Sequence, residues 1–223
     1  LLFLFQESDS FLYPVNLRMD GVSCLIVGGG HVALRKVKRL LDQQAHVTVL
    51  APEICEELMA LSREKRISWR KAFYKAGDAS NYHFVVTASG SRKVAETVHQ
   101  ESLDATFLYN SADFPELGNC FLPATFETGG IRFTVSTNGR SPAMAKYVKN
   151  WLAGQIPPSF GVWLDRVGDI RLELKEKLKD SHAREDFWHT VFSDRIMDLV
   201  LSGKLDEAEE CVRHATGCIG TQP

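Results

Sequence analysis

The sequence has no excess of charge of either sign: 26 Lys and Arg stand against 28 Asp and Glu in 223 residues, a formal charge of −2. That balance excludes a strongly basic nucleic-acid binder and leaves room only for a local basic patch. Long apolar runs are missing too. Leu1 to Phe5, the longest at the start, is too short to cross a bilayer and lacks the basic segment of a secretory signal, so neither feature is expected. Cysteine is scarce and unpatterned. Cys24, Cys55, Cys120, Cys211 and Cys218 are odd in number and widely spaced, which argues against a disulfide scaffold and for reduced thiols in a cytoplasm. Cys211, His214 and Cys218 fit no common zinc spacing, so no metal site is expected. Internal repeats and low-complexity tracts are absent. The chain does not begin with Met, and its natural start is expected upstream.

What is present is an ordinary folded composition, 44% apolar and 24% charged. The first half alternates two patterns. Val22 to Val27 is a nearly continuous apolar run, as a strand buried on both faces requires. Ala33, Val37, Leu40 and Leu41 then recur at helical spacing. Further strands are expected over His46 to Ala51, Ile67 to Phe73, His83 to Ala88 and Thr106 to Asn110, with helical stripes between, and Tyr13 to Leu17 is a candidate edge strand. This alternation predicts a parallel α/β sheet with right-handed crossovers. After Asp113 the pattern changes. Asn119 to Phe126 and Ile131 to Ser136 read as a hairpin closed by Glu127-Thr-Gly-Gly130. Ser141-Pro142 opens a helix that Gly154 and Pro157-Pro158 should end, and the rest is helical and charged. In that last part Val162, Leu164, Val167, Ile170, Leu172, Leu174, Phe187, Val191, Phe192, Ile196 and Leu199 are the expected buried residues. The fold class expected is an N-terminal Rossmann-like parallel sheet over residues 1–112, a small α+β dimerisation domain over 113–154, and a helical domain over 155–223.

The chemistry begins at Gly28-Gly-Gly-His-Val-Ala33, a G-x-G-x-x-G/A turn between a buried strand and an amphipathic helix. Gly28 permits the tight turn, Gly30 lets backbone approach a pyrophosphate, and Ala33 allows close helix–strand packing. The helix N-terminus offers free N–H groups and a positive dipole to the anion. An acid that would hold the adenosine ribose is expected at the end of the second strand. There the sequence reads Leu50-Ala-Pro52, and Glu53 is the nearest acid. No Arg or Lys stands ready for a 2′-phosphate, which favours NAD over NADP.

Several segments together resemble the precorrin-2 dehydrogenase family, which is also the N-terminal module of siroheme synthase. They are Tyr13-Pro-Val-Asn-Leu17, Val27 to Lys36, Thr87-Ala-Ser89, Asn110-Ser-Ala-Asp113, Phe121-Leu-Pro-Ala124 and Thr134 to Pro142. The resemblance runs in order from about Leu12 to Gly154. It implies an NAD-binding part, an intertwined homodimer and a small helical closing part. It also implies oxidation of precorrin-2 to sirohydrochlorin with NAD, with iron insertion in some members. The methyltransferase domain of the fused enzymes has no counterpart in these segments.

By resemblance Asp113 is the aspartate responsible for dehydrogenation. At the carboxyl end of the fifth strand it is also the best-placed proton acceptor, while its plain alternative is a turn-forming Asp before Phe114-Pro115. His31 and Val32 are expected at the pyrophosphate and Pro52 and Glu53 at the ribose. Thr87, Ala88 and Ser89 are expected along the cofactor, with Asn110 on a carboxamide or ribose hydroxyl. Thr87 and Ser89 can equally serve as local caps. A substrate rich in carboxylates calls for cations and free N–H groups, which Ser136, Thr137, Asn138, Gly139, Arg140 and Ser141 could supply. Arg18, Arg35 and Lys146 are weaker candidates. Two other readings remain: a ferrochelatase or bifunctional enzyme, and a regulator that senses NAD without chemistry. A dimer is expected because Phe121, Ile131, Phe133, Tyr147 and Trp151 exceed what a lone hairpin can bury.

Overall fold

The structure is a computed structural model that describes residues 12–217. It contains two compact units, one of residues 13–122 and one beginning at Pro123.

In the first unit five parallel strands form one sheet. They are β1 (Ser23–Val27), β2 (His46–Leu50), β3 (Ser68–Arg70), β4 (Phe84–Thr87) and β5 (Leu108–Ser111) in the spatial order β3-β2-β1-β4-β5. Helices α1 (His31–Leu41), α2 (Glu56–Arg63) and α3 (Arg92–Asp104) make the crossovers. The reason lies in strand periodicity. Cys24 and Ile26 point to one face and pack with Val37, Leu40 and Leu58, whereas Leu25 and Val27 point to the other and pack with Val98 and Tyr109. A run with no polar residue in its centre therefore fills two apolar layers, as a sheet covered on both faces needs.

Three strand expectations are corrected. Residues 13–17 form no strand and are exposed; Pro14 has no N–H to give to a ladder. β3 covers only Ser68–Arg70 of the expected Ile67 to Phe73. Residues 119–123 are not strand. Asn119 instead finishes the free side of β5: its Oδ1 accepts from the Tyr109 N–H at 2.7 Å while its own N–H donates to the Tyr109 carbonyl at 3.0 Å. With those groups satisfied, the chain turns away.

The second unit opens with the antiparallel hairpin β6 (Ala124–Thr128) and β7 (Ile131–Val135). Its turn, Gly129-Gly130, has φ of +51° and +77°, the left-handed pair that a two-residue hairpin loop requires. Phe126 and Phe133 stack at 4.7 Å. Helix α4 (Pro142–Gln155) packs on this hairpin and buries Ala145. It runs through Gly154 and stops at Ile156, where the following proline disfavours helical backbone.

Helices α5 (Phe160–Lys177), α6 (Ser181–Val191), α7 (Asp194–Leu201) and α8 (Leu205–Gly217) share a core around Trp163, Ile170, Val200, Ala208 and Val212. Of the expected buried set, Ile170, Leu174, Val191 and Ile196 are buried, but Val162, Leu164, Leu172 and Phe192 are exposed. Trp163, Ile170 and Leu174 lie on one face of α5, and Leu172 is about 200° round the helix from Ile170. Among the described residues no helix is long and apolar enough to cross a membrane. Cys218, Leu1 and Phe5 lie outside the described residues.

Candidate active site

Strand order reverses between β1 and β4, the switch point beyond whose carboxyl ends open parallel sheets bind their ligands. The glycine turn stands there. Gly28 donates to the Leu50 carbonyl at 3.0 Å and has φ +130°. A Cβ on it would lie 2.2 Å from the Ala88 carbonyl oxygen, so the β1 turn rests directly on the end of β4. Gly30 meets no atom within 4 Å of a would-be Cβ. It is also the N-cap of α1, which has neither a side-chain cap nor an acid in its first turn. The opening N–H groups of α1 are thus left for an anion. Ala33 is fully buried against the sheet, as close helix–strand packing demands. Bare glycine backbone, open space at Gly30 and an uncapped helix start all fit a dinucleotide pyrophosphate. His31 and Val32, the first two residues of α1, are exposed beside this opening.

Pro52 and Glu53 follow β2, with Glu53 exposed. Thr87 is buried, its hydroxyl 2.9 Å from that of Tyr109 and within 3.4 Å of Ser111 Oγ, so its side chain braces the sheet. Ala88 presents the carbonyl under Gly28. Ser89 accepts from the Ser91 N–H at 3.3 Å, and Ser91 in turn caps α3 by accepting from Val94. Asn110 is nearly buried and engaged at both ends of its amide, accepting from Lys36 Nζ at 3.2 Å and donating to the Cys120 carbonyl at 2.8 Å. Asp113 is exposed past the end of β5, and its Oδ2 accepts from the Gly90 N–H at 2.8 Å. The carboxylate is therefore held two residues along from the carbonyl that supports Gly28.

Residues 136–141 belong to the second unit and are largely self-satisfied. Thr137 Oγ1 accepts from the Ser141 N–H at 3.0 Å, Ser136 Oγ accepts from the Asn138 N–H at 3.1 Å, and Ser141 Oγ accepts from Met144 to cap α4. Asn138 and Gly139 take left-handed backbone, φ +51° and +77°. Arg140 is exposed, with Nε donating to the Thr137 carbonyl at 3.2 Å.

Some participants escape a reading of the sequence. Gly29 occupies a free position of the motif, yet a Cβ there would lie 2.0 Å from the Glu53 carbonyl oxygen; the unbroken Gly28-Gly29-Gly30 run was its only signal. Lys36 looks like a surface residue of α1 but reaches Asn110, and burial, then the neighbouring Arg35 and Arg39, lower the pKa of its ammonium group. His31, Cys55 and Glu57 bring one donor atom each to within 4.8 Å of one another. The Glu57 carboxyl is held below the usual carboxylate range, first by a backbone N–H and further by the Cys55 thiol and His31.

Comparisons with known proteins agree with this layout. A family described as putative NAD(P)-binding matches residues 15–124, and the sirohaem synthase dimerisation region matches 159–215. The latter covers the helical part, whereas the hairpin and α4 carry the apolar residues from which the sequence predicts a dimer. The chain is similar to siroheme synthase of Thioalkalivibrio sulfidiphilus, 31% identical over 203 residues, 91% of this chain and 42% of that one. It is similar to siroheme synthase of Methylococcus capsulatus at 29% identity, covering 94% and 44%. It thus spans less than half the length of these curated relatives. The solved structure of SirC, precorrin-2 dehydrogenase, superposes with a TM-score of 0.68 at 25% identity, covering 91% of this chain and all of that one. With its glycine turn, its strand order and both matched regions, residues 15–124 and 159–215, the chain is similar to the precorrin-2 dehydrogenase and siroheme synthase N-terminal family.

Proposed function

We propose that this chain dehydrogenates precorrin-2 to sirohydrochlorin with NAD as oxidant, within siroheme synthesis. The observation that carries the reading is Asp113: a carboxylate fixed by the Gly90 N–H at the carboxyl edge of the sheet, beside a turn bare enough for a pyrophosphate. Bound NAD supplies the hydride acceptor. The chain's own residues do the rest. Backbone N–H groups of α1 hold the pyrophosphate, with His31 and Val32 at the helix start, and Gly30 leaves it room. Pro52 and Glu53 flank the ribose. The ends of β4 and β5, at Thr87, Ala88, Ser89 and Asn110, line the cofactor; Thr87 and Asn110 do so as rigid supports, since their side chains are bonded within the fold. Asp113 accepts the proton that leaves the macrocycle as the hydride departs. Arg140 and the polar loop of residues 136–141 bind substrate carboxylates.

The same reading includes three parts, residues 1–112, 113–154 and 155–223, and a homodimer. Met144, Tyr147 and Trp151 stand exposed on one side of α4, the side away from buried Ala145. The matched dimerisation region supports self-association as well. Purified protein incubated with NAD and precorrin-2 is expected to generate NADH and the absorption spectrum of sirohydrochlorin. NAD binding with no turnover of precorrin-2 would overturn the assignment in favour of a sensor. Sedimentation at micromolar concentration is expected to show twice the 25.0 kDa chain mass, and a monomer alone would remove the dimer.

A further inference from the structure

We propose that His31, Cys55 and Glu57 form a binding site for a borderline divalent cation of the zinc class, using imidazole nitrogen, thiolate sulfur and carboxylate oxygen as its three protein ligands. The three donor atoms already lie within 4.8 Å of one another. Bond lengths near 2.0–2.3 Å in a tetrahedral site place ligand atoms roughly 3.3–3.8 Å apart, so small side-chain rotations close the gap. The backbone beneath is fixed. The Cys55 N–H donates to the Gly29 carbonyl at 2.8 Å, and Gly29 abuts the Glu53 and Ile54 backbone so closely that it admits no Cβ. His31 begins α1 immediately after that turn, while Cys55 is the N-cap of α2 and Glu57 lies in its first turn. Two helix starts are thereby pinned together with their donors on the same side.

The donor set selects the metal. Mixed nitrogen, sulfur and oxygen ligands favour Zn²⁺ or Co²⁺ over Mg²⁺ and Ca²⁺, which want oxygen alone. Three protein ligands leave a fourth position to water, the pattern of an open, exchangeable site. Binding replaces the Cys55 S–H bond with a sulfur–metal bond and releases one proton to solvent, with no change of oxidation state. His31 and Glu57 are exposed and Cys55 is half-buried and free of any disulfide, so a cation can enter from solvent. The separation of 24 and 2 residues along the chain gives no zinc-like spacing, which is why the sequence conceals the cluster.

Cobalt titration of the full chain, kept reduced by a phosphine that does not bind metals, tests the site. One equivalent of Co²⁺ is expected to produce the near-ultraviolet charge-transfer band of a cobalt–thiolate bond. A large excess of Mg²⁺ should leave it unchanged and Zn²⁺ should abolish it. Cys55→Ala is expected to lose the band and Cys211→Ala to keep it. Glu57→Gln, which retains the thiol, should weaken cobalt binding about tenfold or more. Absence of the band in the wild-type chain, or its survival at full strength in Cys55→Ala, overturns the proposal. The dinucleotide reading stands apart from this result: a chain that binds NAD yet gives no cobalt–thiolate band fails the metal inference alone.

Discussion

Two polar loops of this chain lead into helices, and they are built in opposite ways. The turn of Gly28 to Gly30 has no side chains of its own and leaves the start of α1 without a cap. The loop of residues 136–141 is rich in hydroxyl and amide side chains that bond to one another, and Ser141 caps α4. The first loop leaves the opening N–H groups of α1 without a side-chain cap, and the second spends much of its hydrogen-bonding capacity on its own shape. A glycine-rich turn can therefore offer backbone N–H groups at a helix start, whereas the positive charge of the second loop is the exposed Arg140. The supports differ as well. Gly28 and Gly29 are wedged against the backbone of Ala88 and Glu53, while a Cβ on Gly139 would meet nothing within 4 Å.

The largest expected effect concerns the acid beside the first loop. Asp113→Asn should lower turnover of precorrin-2 by about a hundredfold or more, the usual scale for removing a general base, with NAD affinity unchanged by titration; wild-type turnover would detach the acid from the chemistry. Next comes the wedge. Gly28→Ala forces a side chain into strained backbone, at about 1–3 kcal/mol, and into the Ala88 carbonyl besides. Its melting temperature is expected to fall by about 5 °C or more, with NAD binding weakened at least about tenfold. Gly139→Ala, strained but unobstructed, should cost about 1 kcal/mol and leave NAD affinity alone. Equal losses in the two alanine variants would break the contrast between the loops.

A smaller effect is expected at the second loop. Ser141→Ala removes the α4 cap and should cost about 1 kcal/mol in denaturant unfolding without altering NAD binding. The smallest is a pH effect beneath the first loop. Burial pushes the Cys24 thiol in β1 from 9.0 up to about 12. In the unfolded chain this thiol ionises near 9 while the folded one stays neutral, so its stabilising share is complete below pH 9 and is lost between pH 9 and about 12. The loss at pH 9 is only about 0.4 kcal/mol. Cys24→Ala should lack this component; identical pH dependence in both chains would show that the thiol's burial plays no part.

Much of the first unit is legible from residue order. Runs without polar residues become strands covered on both faces, and the glycine turn with Ala33 announces a helix packed close on β1. The failures share a cause. Tyr13 to Leu17 has strand-like residues but finds no ladder among the described residues. Asn119 ends the β5 edge through a side chain whose partner, Tyr109, is chosen by the fold. Leu172 and Val162 have the right hydrophobicity and the wrong angular position on α5. Each outcome depends on what stands opposite, which local pattern does not contain.

For the site the division is similar. Which residues reach the carboxyl edge of the parallel sheet follows from the sequence alone, because motif, strand ends and chain order bring Gly28, Thr87, Asn110 and Asp113 there. What each side chain does there was decided by tertiary structure. Thr87 turned inward to Tyr109, Asn110 was captured by Lys36 and Cys120, and Asp113 found the Gly90 N–H, while His31, Cys55 and Glu57 met across a turn. The physical reason is range. Backbone direction is set by propensities acting over a few residues, but a polar side chain settles on whichever donor or acceptor folding brings within about 3 Å.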